Sequence, residues 1–233
     1  MRPVDVDTLL RIARQLNKLD VPYCFTGGVV IVFLLDNPRL VTVRPTDDVD
    51  VITSVVTRIA YTHLEEKIRG LGFSHDTSEG APSCRWIYEG TKVDIMPAKD
   101  PTGQFSDRWF EYALSSAEDR VIGDLTIRII SATAFVATKL AAFHDRGDND
   151  FYHHDLEDVL TIIDGRQSFV TELKKEDAAL CEFVALNIQT LISNPRFRDA
   201  LPGHLESDDA SQARLPILSA KLSDISALAS QPA

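Results

Sequence analysis

Cysteine is scarce in this chain. Its three residues, Cys24, Cys84 and Cys181, are odd in number, far apart and without metal-ligand spacing. They offer no disulfide framework, and reduced thiols in a cytoplasmic protein are the expectation. Long apolar runs are missing as well. The longest, Val29–Leu35, falls far short of the ~20 residues a bilayer helix needs. Residues 1–20 carry charges throughout, so they do not read as a signal peptide. Glycine and proline, 11 each, are not enriched, and neither a repeat nor a low-complexity tract is present. A Gly-x-x-x-x-Gly-Lys loop and a Gly-x-Ser-x-Gly elbow are both absent, which excludes a P-loop enzyme and argues against an α/β-hydrolase. Positive charge is in deficit: 24 Lys and Arg face 35 Asp and Glu, a net charge of −11. Such a field disfavours a broad, non-specific grip on DNA, though not a local basic groove.

What remains is ample for a core. Of 233 residues, 44% are hydrophobic and 25% charged, enough for one large domain or two small ones sharing an interface. Residues 131–233 are the more acidic half, net −7 against −4 for residues 1–130, so a phosphate-binding surface is expected in the first half.

The periodicity predicts helices over 5–19, 29–35, 55–71 and 107–117. Strands are predicted at Tyr23–Thr26, 48–53, Cys84–Tyr88, Lys92–Met96 and Leu125–Ile130, with Glu89-Gly90 closing a hairpin between the third and fourth. From Ser131 onward helical spacing dominates, over 131–146, 151–164, 170–193 and 214–229, with a polar loop at 199–213. The expected fold class is therefore α/β (α+β): a mixed sheet with flanking helices over 1–130, then a helical bundle over 131–233. The last helix is expected to dock on its own chain, with a partner interface as the other reading.

The chemistry centres on Arg44-Pro45-Thr46-Asp47-Asp48-Val49-Asp50-Val51. Residues i and i+2 of a strand share a face, so Asp48 and Asp50 project together while Val49 and Val51 enter the core. Paired carboxylates suit a hard cation, Mg²⁺ or Mn²⁺. Taken alone, Asp-x-Asp reads first as a solvated strand end or a turn. Lys92-Val93-Asp94-Ile95-Met96-Pro97 places one more carboxylate in an apolar strand. If that strand pairs beside 48–53, Asp94 completes a cluster suited to two-metal phosphoryl transfer; otherwise a salt bridge to Lys92, Arg85 or Lys99 accounts for it. Gly27-Gly28, ahead of an apolar helix, permits positive φ and close approach of a phosphate to the backbone. In the second half, Lys139 sits at the edge of an apolar helical stripe, snorkelling to water or pointing into a cleft. Asp155 and Asp158 flank the next helix, compatible with a solvated face.

In this order, Gly-Gly opening a helix, Arg-x-Thr-x-Asp-h-Asp-h and h-Asp-h-h-Pro resemble the nucleotidyltransferases of the DNA polymerase β superfamily. The Arg44, Thr46, Asp48 and Asp50 pattern most resembles the AbiEii-type branch, toxins of type IV toxin–antitoxin systems including MenT-like enzymes. Lys139-Leu140-Ala141-Ala142-Phe143-His144-Asp145-Arg146 and His154-Asp155-Leu156-Glu157-Asp158 are similar to two later motifs of that branch. The resemblance covers about residues 20–165. It implies a nucleotidyltransferase-type mixed sheet and transfer of an NMP from an NTP to an acceptor hydroxyl, with a tRNA 3′ end favoured and a protein or aminoglycoside as alternatives. It further implies Asp48 and Asp50 as metal ligands, Asp94 as the third carboxylate that activates the acceptor hydroxyl or binds the second metal, and Gly27 and Gly28 around the triphosphate. Arg44 would steady a phosphate or brace the Asp strand, with Thr46 beside it. Lys139 would neutralise phosphate charge, and Asp155 would orient that lysine or the base. The implied partners are an NTP, the acceptor and a cognate antitoxin, without a membrane. Two positions depart from the pattern: Gly28 stands where many members have Ser, and His154 where a basic residue precedes the Asp. RNA binding would need a basic patch, for instance from Arg39, Arg44, Arg85 and Lys92.

Two rival readings use other features. His153-His154-Asp155 with His144 resembles the metal ligands of HD phosphohydrolases, but that leaves Asp48, Asp50 and Asp94 unexplained. A non-catalytic binding module on the same fold would be expected to have lost part of the carboxylate set, because clustered like charges cost stability.

Overall fold

The structure is a computed structural model that describes residues 4–38, 41–55, 57–99 and 108–230. Arg39, Val56 and Asp107, which enter the sequence-based expectations, lie outside the described residues. The chain runs α1 (Val6–Leu16), β1 (Tyr23–Thr26), a 3-10 turn (Gly28–Val30), α2 (Ile31–Leu34), β2 (Asp48–Thr53), α3 (Arg58–Gly70) and β3 (Ser74–His75). It continues through β4 (Arg85–Tyr88), β5 (Thr91–Pro97), α4 (Phe110–Ser115), β6 (Glu118–Ile122) and β7 (Leu125–Ile129). Helices follow: α5 (Ala132–Arg146), α6 (His154–Gly165), α7 (Phe169–Leu173), α8 (Ala178–Ser193), α9 (Pro195–Ala200), α10 (Asp209–Gln212) and α11 (Leu215–Ser226). Two compact units result. One is Met1–Val30 with Arg44–Ser131; the other is Ile31–Val43 with Ala132–Ala233. The second unit thus takes in a segment from early in the sequence as well as everything after Ser131.

The first unit is built on a seven-stranded mixed sheet of order β3-β4-β5-β2-β1-β7-β6. The pairs β2–β5 and β1–β7 are parallel, and the others are antiparallel. The central strands carry the core: Cys24, Phe25, Val49, Val51, Ile52, Val93 and Ile95 are fully buried. Helix α1 contributes Leu9, Ile12, Ala13 and Leu16, spaced so that all four lie on one stripe. Asp5 starts it by accepting a hydrogen bond from the Thr8 N–H at 2.8 Å. Two strands lack a clear sequence signal. β3 is only two residues long, and β6 is a charged edge strand paired with β7 alone. Edge strands tolerate such residues because one side faces water.

In the second unit α5 packs on α6, and α8 packs on α11. The apolar stripe of α11 is satisfied within this unit: Leu218, Leu222 and Ile225 are buried. The helix expected over 170–193 is broken in two. The polar run Lys174–Asp177 interrupts the stripe, and Asp177 restarts it as the cap of α8, accepting from the Ala179 N–H at 2.8 Å. The loop expected at 199–213 instead holds a 3-10 turn at Leu201–His204 and α10, capped by Asp208. Single turns of this kind are too short to show a helical period. Among the described residues, no helix is long and apolar enough to cross a membrane.

Candidate functional site

Strand register assembles the site. β1 and β2 place Thr26 opposite Asp50, and β2 and β5 place Asp50 opposite Asp94. Across the hairpin β4–β5, Asp94 lies opposite Arg85. A row therefore runs Thr26, Asp50, Asp94, Arg85 across four adjacent strands. Registered neighbours share a face, and so do residues two apart, which adds Asp48 to that face. Carboxylate oxygens of Asp48, Asp50 and Asp94, one from each, lie within 4.8 Å of one another.

The Gly27-Gly28 turn closes against this group. Gly27 has φ +74°, the left-handed region that favours glycine. A β-carbon there would collide with the Asp50 carboxylate, coming within 2.8 Å of its Cγ. A β-carbon on Gly28 would meet Thr46 Cβ at 3.1 Å and Arg44 Nη2 at 3.6 Å. Thr46 in turn donates its hydroxyl to Asp48 Oδ1 at 2.8 Å. Gly27, Gly28, Arg44, Thr46, Asp48, Asp50 and Asp94 thus occupy one neighbourhood. Both glycines are buried, and a side chain at position 27 would collide with the Asp50 carboxylate.

One charged residue of the site was noted in the sequence only as a salt-bridge or basic-patch candidate. Arg85 donates from Nε to Asp94 Oδ1 and from Nη2 to Asp94 Oδ2, both at 2.7 Å, a bidentate pair. Its Nη2 is also 3.6 Å from Asp48 Oδ2. The hydrogen bonds to Asp94 raise the guanidinium pKa above its ordinary value despite partial burial. Asp94 thus combines both sequence readings, a member of a carboxylate cluster and a salt-bridge partner.

The cluster fits a divalent cation by the chemistry of its donors. All three are oxygens, as Mg²⁺ and Mn²⁺ prefer, and an ion would relieve repulsion among like charges held this close. Cysteine does not contribute: burial pushes the Cys24 and Cys84 thiols up to about 12.

Lys139 and Asp155 belong to the second unit. The Lys139 ammonium lies 3.0 Å from Asp155 Oδ1 and 2.8 Å from Asp158 Oδ2, joining α5 to α6. Arg146 also donates to Asp155, from Nε at 2.8 Å. Both carboxylates are buried, at 0% and 1% side-chain exposure, and Lys139 is 12% exposed, so each charge needs the others. Burial alone would raise the Asp155 pKa. The hydrogen bond from Arg146 and the charges of Lys139 and Arg146 outweigh it and lower the value to about 2. Burial likewise opposes the Lys139 charge, yet Asp158 and Asp155 raise its pKa overall.

His153, His154 and Asp155 also offer ligand atoms within 4.8 Å of one another. That group is less suited to a metal. Both Asp155 oxygens already face cations, and His153 Nδ1 accepts the Asp155 N–H at 3.2 Å as the cap of α6. His144 is not part of it.

No family model matches the chain, and no curated protein matches it. Solved structures do. An antigenic nucleotidyltransferase-like protein from Paracoccidioides brasiliensis superposes with TM-score 0.56 at 16% identity, over 96% of this chain and 95% of that one. The antibiotic-resistance factor ANT(2'')-Ia matches at 17% identity in two structures. Its solution structure gives TM-score 0.47 over 84% of this chain and 94% of that one. Its complex with adenylyl-2''-tobramycin gives TM-score 0.48 over 78% and 95%. With its seven-stranded mixed sheet, flanking helices and helical second half, the chain has a nucleotidyltransferase-like fold.

Proposed function

We propose that the protein is a metal-dependent nucleotidyltransferase. The observation that carries this reading is the carboxylate set Asp48, Asp50 and Asp94, brought together by strand register with the buried Gly27-Gly28 turn packed against it. An acceptor hydroxyl oxygen attacks the α-phosphorus of an NTP. The bond from that phosphorus to the β-phosphate bridging oxygen breaks, pyrophosphate leaves, and a carboxylate of the set takes up the hydroxyl proton. Mg²⁺ or Mn²⁺ held by Asp48, Asp50 and Asp94 would offset the charge on the phosphates and acidify the hydroxyl.

The remaining roles belong to the chain. Gly27 and Gly28 let the triphosphate approach the main chain, and Arg44 steadies a phosphate. Thr46 holds Asp48 in its rotamer through the 2.8 Å hydrogen bond. The role that the sequence resemblance implies for Lys139 toward phosphate would require its ammonium, held by Asp155 and Asp158 in the second unit, to be shared with the nucleotide.

The sequence resemblance to the AbiEii-type branch favours a tRNA 3′ end as acceptor, and with it a toxin role and a cognate antitoxin. A second reading has its own support. The net charge of −11 attracts a cationic acceptor such as an aminoglycoside and repels RNA.

The test is a transfer assay with each α-labelled NTP, Mg²⁺, and tRNA, protein and aminoglycoside offered separately. Label on one acceptor, lost in Asp48→Ala/Asp50→Ala, establishes the reaction and names the acceptor class. Absence of label on every acceptor, with no Mg²⁺-dependent NTP binding, rejects the enzyme reading and leaves a binding module.

A further inference from the structure

We infer that Arg85 is a built-in counter-ion that restricts the carboxylate set to a single divalent ion until nucleotide arrives. The inference rests on the nucleotidyltransferase reading and sharpens it. Asp94 spends both its oxygens on Arg85, at 2.7 Å each, while Asp48 has only a peripheral approach from the same guanidinium, at 3.6 Å. Arg85 and Asp94 are mostly enclosed, with 18% and 11% side-chain exposure, so water screens their attraction weakly. A guanidinium in a fork on a carboxylate occupies the lone pairs that a second metal would use.

Charge points the same way. Arg85 offsets one carboxylate charge of the set, so a second divalent ion on the protein alone meets less negative charge than three bare carboxylates would offer. A triphosphate brings the negative charge that makes a second ion favourable, and its oxygens compete for Arg85 as well. Arg85 is accordingly a positioning residue. It holds Asp94 in place in the resting protein and sets when Asp94 becomes available.

Mn²⁺ alone is the probe, with bound and free ion counted by electron paramagnetic resonance on the full chain without nucleotide. The wild type is expected to bind one Mn²⁺, Arg85→Gln two, and Arg85→Gln/Asp94→Asn one again. A purely structural arginine would not raise the count when removed. Asp94→Asn alone, with Arg85 intact, is still expected to bind one Mn²⁺, more weakly because the set loses a negative charge. That variant keeps the question open to refutation should Arg85→Gln not fold. Two ions in the wild type, one ion in folded Arg85→Gln, or loss of the single ion in Asp94→Asn would each overturn the inference while leaving a metal-dependent transferase intact. Absence of Mn²⁺ from the wild type and from every folded variant would overturn both.

Discussion

At the scale of single residues, the site depends on what is missing from position 27. The Asp50 carboxylate occupies the space that a Gly27 side chain would need, and φ +74° adds backbone strain for any other residue. Gly27→Ala is therefore expected to push Asp50 out of the row while the rest of the sheet stays paired. A displacement of about 1 Å at a reacting centre costs on the order of 100-fold in rate. The transfer assay should show that loss with the melting temperature lowered by only a few degrees. Comparable rates for Gly27→Ala and wild type would mean that Asp50 does not act from this position.

The same scale shows what the sequence reveals and conceals. Asp48 and Asp50 could be placed on one face because Val49 and Val51 demand the other. Asp94 could be placed beside them only on the condition that its strand pairs with β2. Arg85 was within reach of sequence reasoning too. Glu89 and Gly90 form a two-residue turn with φ +48° and +79°, which fixes Tyr88 opposite Thr91 and so Arg85 opposite Asp94. The family resemblance names Asp155 as a partner for Lys139, but the residues by themselves give neither that contact nor the one to Asp158. The lysine's carboxylate partners lie 16 and 19 positions away on another helix, and a heptad-like stripe does not say which polar flank turns inward.

Among the elements, α6 is secured at its end by a side chain from another helix. Lys221 of α11 donates to the carbonyls of Ile163, Asp164 and Arg166 at 2.7, 2.9 and 3.1 Å. The last carbonyls of a helix lack intrahelical partners and carry partial negative charge, so an ammonium there serves both needs. Lys221→Met keeps the apolar stem and removes the donor. It is expected to cost about 1–3 kcal/mol, read from urea unfolding. A change below about 0.5 kcal/mol would show that water replaces the ammonium without penalty. Elements of this kind were the legible part of the fold. The long periodic helices and the central strands stand out in the sequence, whereas β3, β6, α9 and α10 do not, because a two-residue bridge, a charged edge and a single turn carry little pattern.

For the whole molecule, acid stability follows from the buried charges of the second unit. Asp155 has a folded pKa lowered to about 2 from a model-compound value of 3.8. A depressed carboxylate contributes stability that is full above the unfolded pKa and is lost as pH falls through the folded one. The window is thus about pH 4 down to 2, and the shift corresponds to about 2 kcal/mol. Unfolding free energies measured across that window should fall more steeply for the wild type than for Asp155→Asn, by about that amount. Parallel slopes would place the acid sensitivity in other carboxylates. Below the pI of about 4.9 the chain is net positive, so protonation of its other carboxylates adds repulsion and lowers the stability of both proteins alike. The difference between the two proteins therefore isolates Asp155.

The early segment Ile31–Val43 has a consequence for synthesis. Leu34 offers its carbonyl to Arg166 Nη1 at 2.8 Å, across 132 residues of chain, and Asp36 donates its N–H to the Gly165 carbonyl at 3.1 Å. At a translation rate of about 5–20 residues per second, the segment leaves the ribosome roughly 7 to 26 s before its partners exist. During that interval Ile31, Leu34 and Leu35, all buried in the finished protein, have nowhere to go. The yield of folded protein is therefore expected to track the speed of elongation through residues 44–166, as read from expression with synonymous slow codons placed there.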